Sequence, residues 1–424
     1  MSTPETAAAR ASAAAESVTS SFGHQPLRVR GTWLAWVQDP HRRLQLPWSE
    51  WHYWWQAHLL DCLIDAAERE AEGGDAARAG ALQWLALAQR HLRGIRLRNF
   101  GRFPNMFFDD MAWLALASQR AEALSRKLTG HGLPPAGTAV RELGRRLVAG
   151  DTDDLGGGMF WNTRRQYKNT ATTGPGALFF ARAGDRGRAQ TLVGWLYETL
   201  FDPEQGLFLD GIHVPGKGEP KMSPEPRLTR DIWAYNQGTV LGALLALGDA
   251  GDTGHGEASL GYANNRPEDP ASTNLERAAA LVDAVDRELT VVVATPSGGA
   301  PGGASPTGEH EPEIRVLKAH GGGDGGLFMG ILARYLGIAA IDPRLPVRTQ
   351  ATAARLVTDT AEALWQGRDE RPRPGSQPHL VFPAHPGELA SSSYPRGQGE
   401  PVELCTQVQA WTVLEAAHRV TKGN

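Results

Sequence analysis

Leu59-Leu-Asp-Cys-Leu-Ile-Asp-Ala-Ala-Glu68 decides the fold class. Its apolar residues recur three and four apart: Leu59, Leu60, Leu63, Ile64 and Ala67 form one stripe, while Asp61, Asp65, Glu68 and Glu72 lie off it. The pattern begins near Trp51 and stops at Gly73-Gly74, so it predicts one long amphipathic helix. Further helical patterns follow at about 75–95, 107–128, 138–149, 169–183, 185–200, 234–249, 272–293, 325–339, 344–366 and 402–420. No alternating run builds a convincing sheet, the nearest to a strand being Thr290-Val-Val-Val-Ala294. About eleven helices, short connections and no βαβ rhythm predict an all-α, single-domain (α/α)6 six-hairpin barrel closed as a toroid, its remaining helix short or broken.

Residues 1–25 are mostly Ala, Ser, Thr and Glu and are expected to form a disordered tail before a barrel spanning 26–424. Two stretches, near 250–270 and 295–310, are too rich in Gly, Pro and Ser to pack and are expected to be flexible insertions. Residues 367–400 are Pro-rich and read as an ordered meander between the last two helices.

The formal net charge is -4, dispersed in both signs, which argues against nucleic acid or an anionic membrane as the main partner. Thirteen tryptophans occur, several outside any helical stripe, as in Trp48-Ser-Glu-Trp-His-Tyr-Trp-Trp55. Flat aromatic faces suit sugar rings, so an oligosaccharide or polysaccharide is the expected partner. Cys62 and Cys405 stand in separate apolar helical stretches, so buried free thiols are expected and a disulfide framework is not. Residues 1–21 lack an apolar signal core, and no stretch of about 18 apolar residues could span a bilayer. The expected location is the cytoplasm, with export by another route or a different start codon as alternatives.

Two acids, Asp109-Asp110, interrupt the apolar run Phe107-Phe-Asp-Asp-Met-Ala-Trp113. A helix start at Asn105 or Pro104 would put both in the first turns, where backbone N–H groups favour negative charge. That role alone would account for them. Two like charges in one apolar pocket also resist joint ionisation, so one acid stays protonated, the division of labour that glycoside hydrolysis requires. Neighbouring Cα atoms about 3.8 Å apart can bring carboxyl groups to the roughly 5–5.5 Å of a retaining enzyme more easily than to the roughly 6.5–9.5 Å of an inverting one.

Asp154-Leu-Gly-Gly-Gly-Met-Phe-Trp-Asn162, with Tyr167-Lys-Asn169 after it, offers close backbone approach, a stacking face and polar groups, or else a tight interhelical loop. Asp231-Ile-Trp-Ala-Tyr-Asn-Gln-Gly238 offers amides that match sugar hydroxyls, or else a capped helix. No glycine run follows a strand as a phosphate loop requires, and HExxH, CxxC, EF-hand and Gly-x-Ser-x-Gly patterns are absent. A metal or organic cofactor is not expected.

These blocks, in order from about Trp51 to Trp411, resemble glycoside hydrolase family 76, the α-1,6-mannanases. The resemblance is carried by Phe107-Phe-Asp-Asp110, Gly157-Gly-Met-Phe-Trp161, Tyr167-Lys-Asn169, Leu209-Asp-Gly-Ile212 and Ala234-Tyr-Asn-Gln-Gly238. It departs at Met329, where lysine is expected, and at Phe107-Phe108 in place of two tyrosines. The resemblance implies endo-acting, retaining cleavage of α-1,6-linked mannose, with Asp109 as nucleophile and Asp110 as general acid/base. It implies substrate contacts from Trp161, Tyr167, Lys168, Asn169, Asp210, Tyr235, Asn236 and Gln237, with Trp54, Trp55 and Gln56 as further candidates. A transglycosylase of the same fold and a non-catalytic glycan-binding protein are the alternatives. An epimerase or uronyl hydrolase would want His bases or cations that these blocks do not supply. Oligomeric state is not legible.

Overall fold

The structure, a computed structural model, describes residues 6–41, 49–215, 225–248, 270–294, 313–373, 376–395 and 401–423. Thirteen α-helices lie among them: α1 (Ala7–Phe22), α2 (Tyr53–Ala71), α3 (Asp75–Arg98), α4 (Phe108–Thr129), α5 (Pro134–Gly150), α6 (Thr170–Arg182), α7 (Arg186–Thr199), α8 (Ala234–Leu247), α9 (Pro270–Glu288), α10 (Phe328–Ala339), α11 (Val347–Gln366), the single turn α12 (Ala390–Ser393) and α13 (Leu404–Gly423). Helices α2, α4, α6, α8, α10 and α13 each pack on the next, and α13 packs back on α2, closing an inner ring. Helices α1, α3, α5, α7, α9 and α11 surround it, which makes the fold an all-α (α/α)6 barrel.

Position in the ring explains the sequence patterns. An outer helix such as α5 buries only a stripe of Ala136, Ala139, Leu143, Leu147 and Gly150, three and four apart. The inner helix α6 is buried on every face from Thr170 to Ala181. Helix α2 is also inner, so its two stripes have different fates from those of a surface helix. Asp61 and Asp65 are 6% and 3% exposed, and they meet arginines from α4, α10 and α13 inside the ring.

The expected disordered tail is corrected: residues 7–22 form α1, packed on α13. Its buried face is Ala11, Ala14, Ala15, Ser17, Val18, Ser21 and Phe22, mostly small side chains that let two helices approach closely. Alanine favours helix most among the residue types, and the Thr6 hydroxyl accepts the Ala9 N–H at 3.2 Å as an N-cap. The remaining barrel helix is therefore α1, neither short nor broken, and the barrel begins before residue 26. The insertions expected near 250–270 and 295–310 fall outside the described residues except for Pro270, which opens α9.

Short strands join the helices. Thr290–Ala294 pairs antiparallel with Glu313–Leu317, and Asp369–Arg373 pairs with Ser376–Val381 inside the expected meander. At the mouth of the ring, Tyr167–Asn169, Gly211–His213 and Arg227–Thr229 form a three-stranded sheet with Gly211–His213 in the middle. Gly211 permits this pairing, since a Cβ there would lie 2.5 Å from the Lys168 carbonyl oxygen. Cys62 and Cys405 are free and buried. Among the described residues no helix is long and apolar enough to cross a membrane.

Candidate active site

A cleft of about 880 Å³ opens at the N-terminal ends of the inner helices. Trp54 reaches it from α2, Asp109, Asp110 and Trp113 from α4, Asn169 from the cap of α6, Tyr235 from α8 and Phe328 from α10. Five helix N-termini thus face one volume, and their backbone dipoles favour negative charge there. Tyr235 lies against Phe328 with ring centroids 4.2 Å apart, and Trp113 and Trp233 extend that aromatic wall. Trp161 stands opposite, packed on Phe107 and 38% exposed.

The acid pair starts helix α4, which begins at Phe108, not at Asn105 or Pro104. The Phe108 N–H donates to the Trp161 carbonyl at 2.7 Å, tying the helix start to the glycine-rich loop. Asp109 Oδ2 accepts the Trp161 indole N–H at 2.9 Å, and its Oδ1 accepts the Asp110 N–H at 2.9 Å. Asp110 Oδ2 accepts the Asn105 amide at 2.6 Å. Burial pushes the Asp109 carboxyl up to about 7 against these hydrogen bonds, with a further push from the charge of Asp210. Burial and the neighbouring Asp109 charge push Asp110 well above the ordinary carboxylate range, only partly offset by Asn105. Asp109 has the greater number of donors and is the more readily ionised, whereas Asp110 holds its proton more tightly.

Two further acids line the cleft. Asp210 accepts the Tyr167 hydroxyl at 2.6 Å, and burial raises its carboxyl. Asp324, in the turn Gly323–Leu327 before α10, accepts the Trp54 indole N–H at 3.1 Å. Among the described residues, no group of His, Cys, Asp and Glu is arranged to hold a metal ion.

The expected site residues divide. Asp109, Asp110, Trp161, Tyr167, Asn169, Asp210, Tyr235 and Trp54 line the cleft. Asn236 lies behind it, its amide 3.5 Å from Asp210. Lys168 is a correction: it is fully buried and points away, its ammonium donating to the carbonyls of Thr152, Asp154 and Gly157 at 2.6–2.7 Å. Three carbonyls use its three donors, so it holds the glycine loop, not the ligand. Gln237 is fully buried and clamps both the N–H and the carbonyl of Phe208, at 2.9 and 2.8 Å. Gln56 clamps Ala35 in the same way, at 3.2 and 3.0 Å. Trp55 is buried against His52 and faces a different surface cleft.

Asp324, Trp233, Trp113, Phe328, His213, His320 and Thr229 also line the cleft and were not expected as site residues. Trp113 and Trp233 sit inside the sequence blocks 107–113 and 231–238, and Asp324 and Phe328 sit in or beside the glycine run Gly321-Gly-Gly-Asp-Gly-Gly326. His213, His320 and Thr229 carry no such mark, because only strand pairing and loop packing bring them to the mouth.

The model of glycosyl hydrolase family 76 matches residues 7–259. Among solved structures, the α-1,6-mannanase GH76A of Salegentibacter sp. HEL1_6 is 27% identical, with 97% of this chain and 99% of that chain covered and a TM-score of 0.68. An inactive variant of that enzyme, with two consecutive aspartates replaced by asparagine and α-1,6-mannotriose bound, matches at 26% identity over 98% of this chain and 100% of that chain, TM-score 0.69. A family 76 mannosidase of Bacteroides thetaiotaomicron shares the fold at 16% identity and a TM-score of 0.66, covering 98% of each chain. No curated protein matches the chain. The matched model spans more than half of the sequence and includes the aspartate pair and the cleft residues from Trp54 to Tyr235; this glycoside hydrolase belongs to glycosyl hydrolase family 76.

Proposed function

We propose that this hydrolase cuts α-1,6-linked mannan within the chain and retains the anomeric configuration, with Asp109 as nucleophile and Asp110 as general acid/base. The observation that carries this reading is the contrast between the two carboxyls, adjacent in sequence and differently supplied with donors: the Trp161 indole and the Asp110 backbone N–H for Asp109, the Asn105 amide for Asp110. In the first step Asp110 gives its proton to the departing glycosidic oxygen while an oxygen of Asp109 bonds to the anomeric carbon. In the second, Asp110 takes a proton from water, the water oxygen bonds to that carbon and Asp109 leaves. Adjacency supports retention, since retaining carboxyls lie only about 5–5.5 Å apart. The α-1,6 linkage is supported by relatives solved with α-1,6-mannotriose and α-1,6-mannotetraose. Internal cleavage is supported by a cleft of about 880 Å³ lined from five inner helices, a volume larger than one sugar ring needs.

Proton NMR of α-1,6-mannan during turnover tests the proposal. The expected first product is a mixture of oligosaccharides whose new reducing ends are α. A β first product would overturn retention, and release of monosaccharide alone would overturn internal cleavage. Products longer than an oligosaccharide substrate would mark a transglycosylase, and no new reducing ends would mark a binding protein.

A further inference from the structure

We propose that Asn105 is a positioning residue for the acid/base, determining which oxygen of Asp110 carries the proton to be transferred. The inference rests on the assignment of Asp110 made above. Asn105 Nδ2 donates to Asp110 Oδ2 at 2.6 Å. The amide cannot be turned the other way, because its Oδ1 accepts the Phe107 N–H at 2.9 Å and a backbone N–H only donates. Oδ2 of Asp110 is therefore committed as an acceptor, which leaves the proton of the neutral acid on Oδ1.

Helix capping does not account for Asn105. The N-cap of α4 is Phe107, without a side-chain cap, and the acceptor bond of Asn105 goes to the residue before the helix. The segment that presents Asn105 is held independently. Asn99 Nδ2 gathers the carbonyls of Arg102, Phe103 and Pro104 at 2.9–3.0 Å, and the Tyr53 hydroxyl donates to the Phe103 carbonyl at 2.8 Å. Phe103 is fully buried. Loss of the Asn105 side chain thus leaves its platform in place. The amide also favours the ionised form of Asp110, opposing burial and the charge of Asp109, so its removal raises the carboxyl further.

Two variants test this, Asn105→Ala and Asn105→Asp, the second keeping an acceptor for Phe107 while replacing the donor that faces Asp110. Each is assayed on α-1,6-mannotetraose and on the 2,4-dinitrophenyl glycoside of α-1,6-mannobiose, whose leaving group departs without a proton. On mannotetraose, kcat/KM falls about ten- to hundredfold in both variants; on the activated glycoside it stays within about threefold of the wild type, which also shows fold and nucleophile intact. The alkaline limb of the mannotetraose profile moves to higher pH in Asn105→Ala. Asp110→Ala serves as the reference and shows the same leaving-group pattern, more steeply. Its failure to do so would overturn the assignment of Asp110. Its success, with Asn105 variants that match the wild type or lose both substrates equally, would overturn the positioning role alone.

Discussion

Two pairs of aspartates sit on inner helices of this barrel, both set in apolar sequence and with proton affinities shifted in opposite directions. Asp61 and Asp65, inside the ring, are clasped by Arg120 at 2.6 and 2.7 Å, and Asp65 also by Arg334 at 2.6 Å and Arg419 at 3.3 Å. Burial alone would raise both carboxyls, but the guanidinium groups of Arg334, Arg120 and Arg419 overcome it and hold them below the ordinary range. Asp109 and Asp110, at the mouth, meet an indole, an amide and backbone N–H groups; among the described residues no Lys or Arg pairs with them. Burial then wins and raises both. Aspartates on an apolar helix are thus not a catalytic signature in themselves. The missing counter-charge is what keeps a proton available near neutral pH.

The contrast breaks most visibly at the mouth. Asp109→Ala and Asp110→Ala should each lower kcat/KM on α-1,6-mannan by a factor on the order of 10⁴, about 5.5 kcal/mol, while the denaturation midpoint stays at or above that of the wild type. Near-normal release of reducing ends by either variant would end the catalytic assignment. The opposite signature is expected inside the ring. Arg334→Met leaves Asp61 and Asp65 buried with less pairing and should cost about 3–5 kcal/mol in denaturant unfolding, with activity per folded molecule unchanged. A neutral effect on stability would mean that the network does not depend on Arg334.

The same distinction explains what the amino-acid sequence reveals and what it hides. The stripe Leu59, Leu60, Leu63, Ile64 and Ala67 is legible because periodicity reports burial of one face, and most barrel helices follow from such stripes. Periodicity does not report that the opposite face is buried too, so Asp61 and Asp65 read as ordinary polar positions until partners from three other helices are seen. Helix α1 is hidden for a related reason: its contact face is largely alanine and serine, which leaves a weak stripe. At the site, the acids are legible because they break an apolar run at a helix start. Gln56 and Gln237 carry a false signal. An amide suits a sugar hydroxyl and a peptide group equally well, and each occupies the fourth residue of an inner helix, where it clamps the loop before it. Gln407 does the same to Phe382 from the fourth residue of α13, at 2.8 and 3.0 Å. This repeated device spends the three amides on backbone groups in the segments before the inner helices.

The smallest expected effect is the dependence of stability on pH, where the two pairs pull in opposite directions. Asp61 and Asp65 bind protons less readily folded than unfolded, so their contribution is full above the unfolded value of about 4 and is lost as pH falls through their lower folded values. Asp109 and Asp110 bind protons more readily folded than unfolded. Their contribution is full below about 4 and is lost as pH rises through the folded values, near 7 for Asp109. Between about pH 4 and 7 the wild type should therefore lose stability relative to Asp109→Asn/Asp110→Asn as pH increases, by about 1 kcal/mol once partial solvent exposure of the pair is allowed for. Urea unfolding of both proteins at several pH values measures the difference directly. A difference that stays flat would show that the mouth carboxyls ionise like ordinary surface acids, and one that grows in favour of the wild type would show that they are held below that range; in either case the acid role of Asp110 would need a proton source other than its own burial.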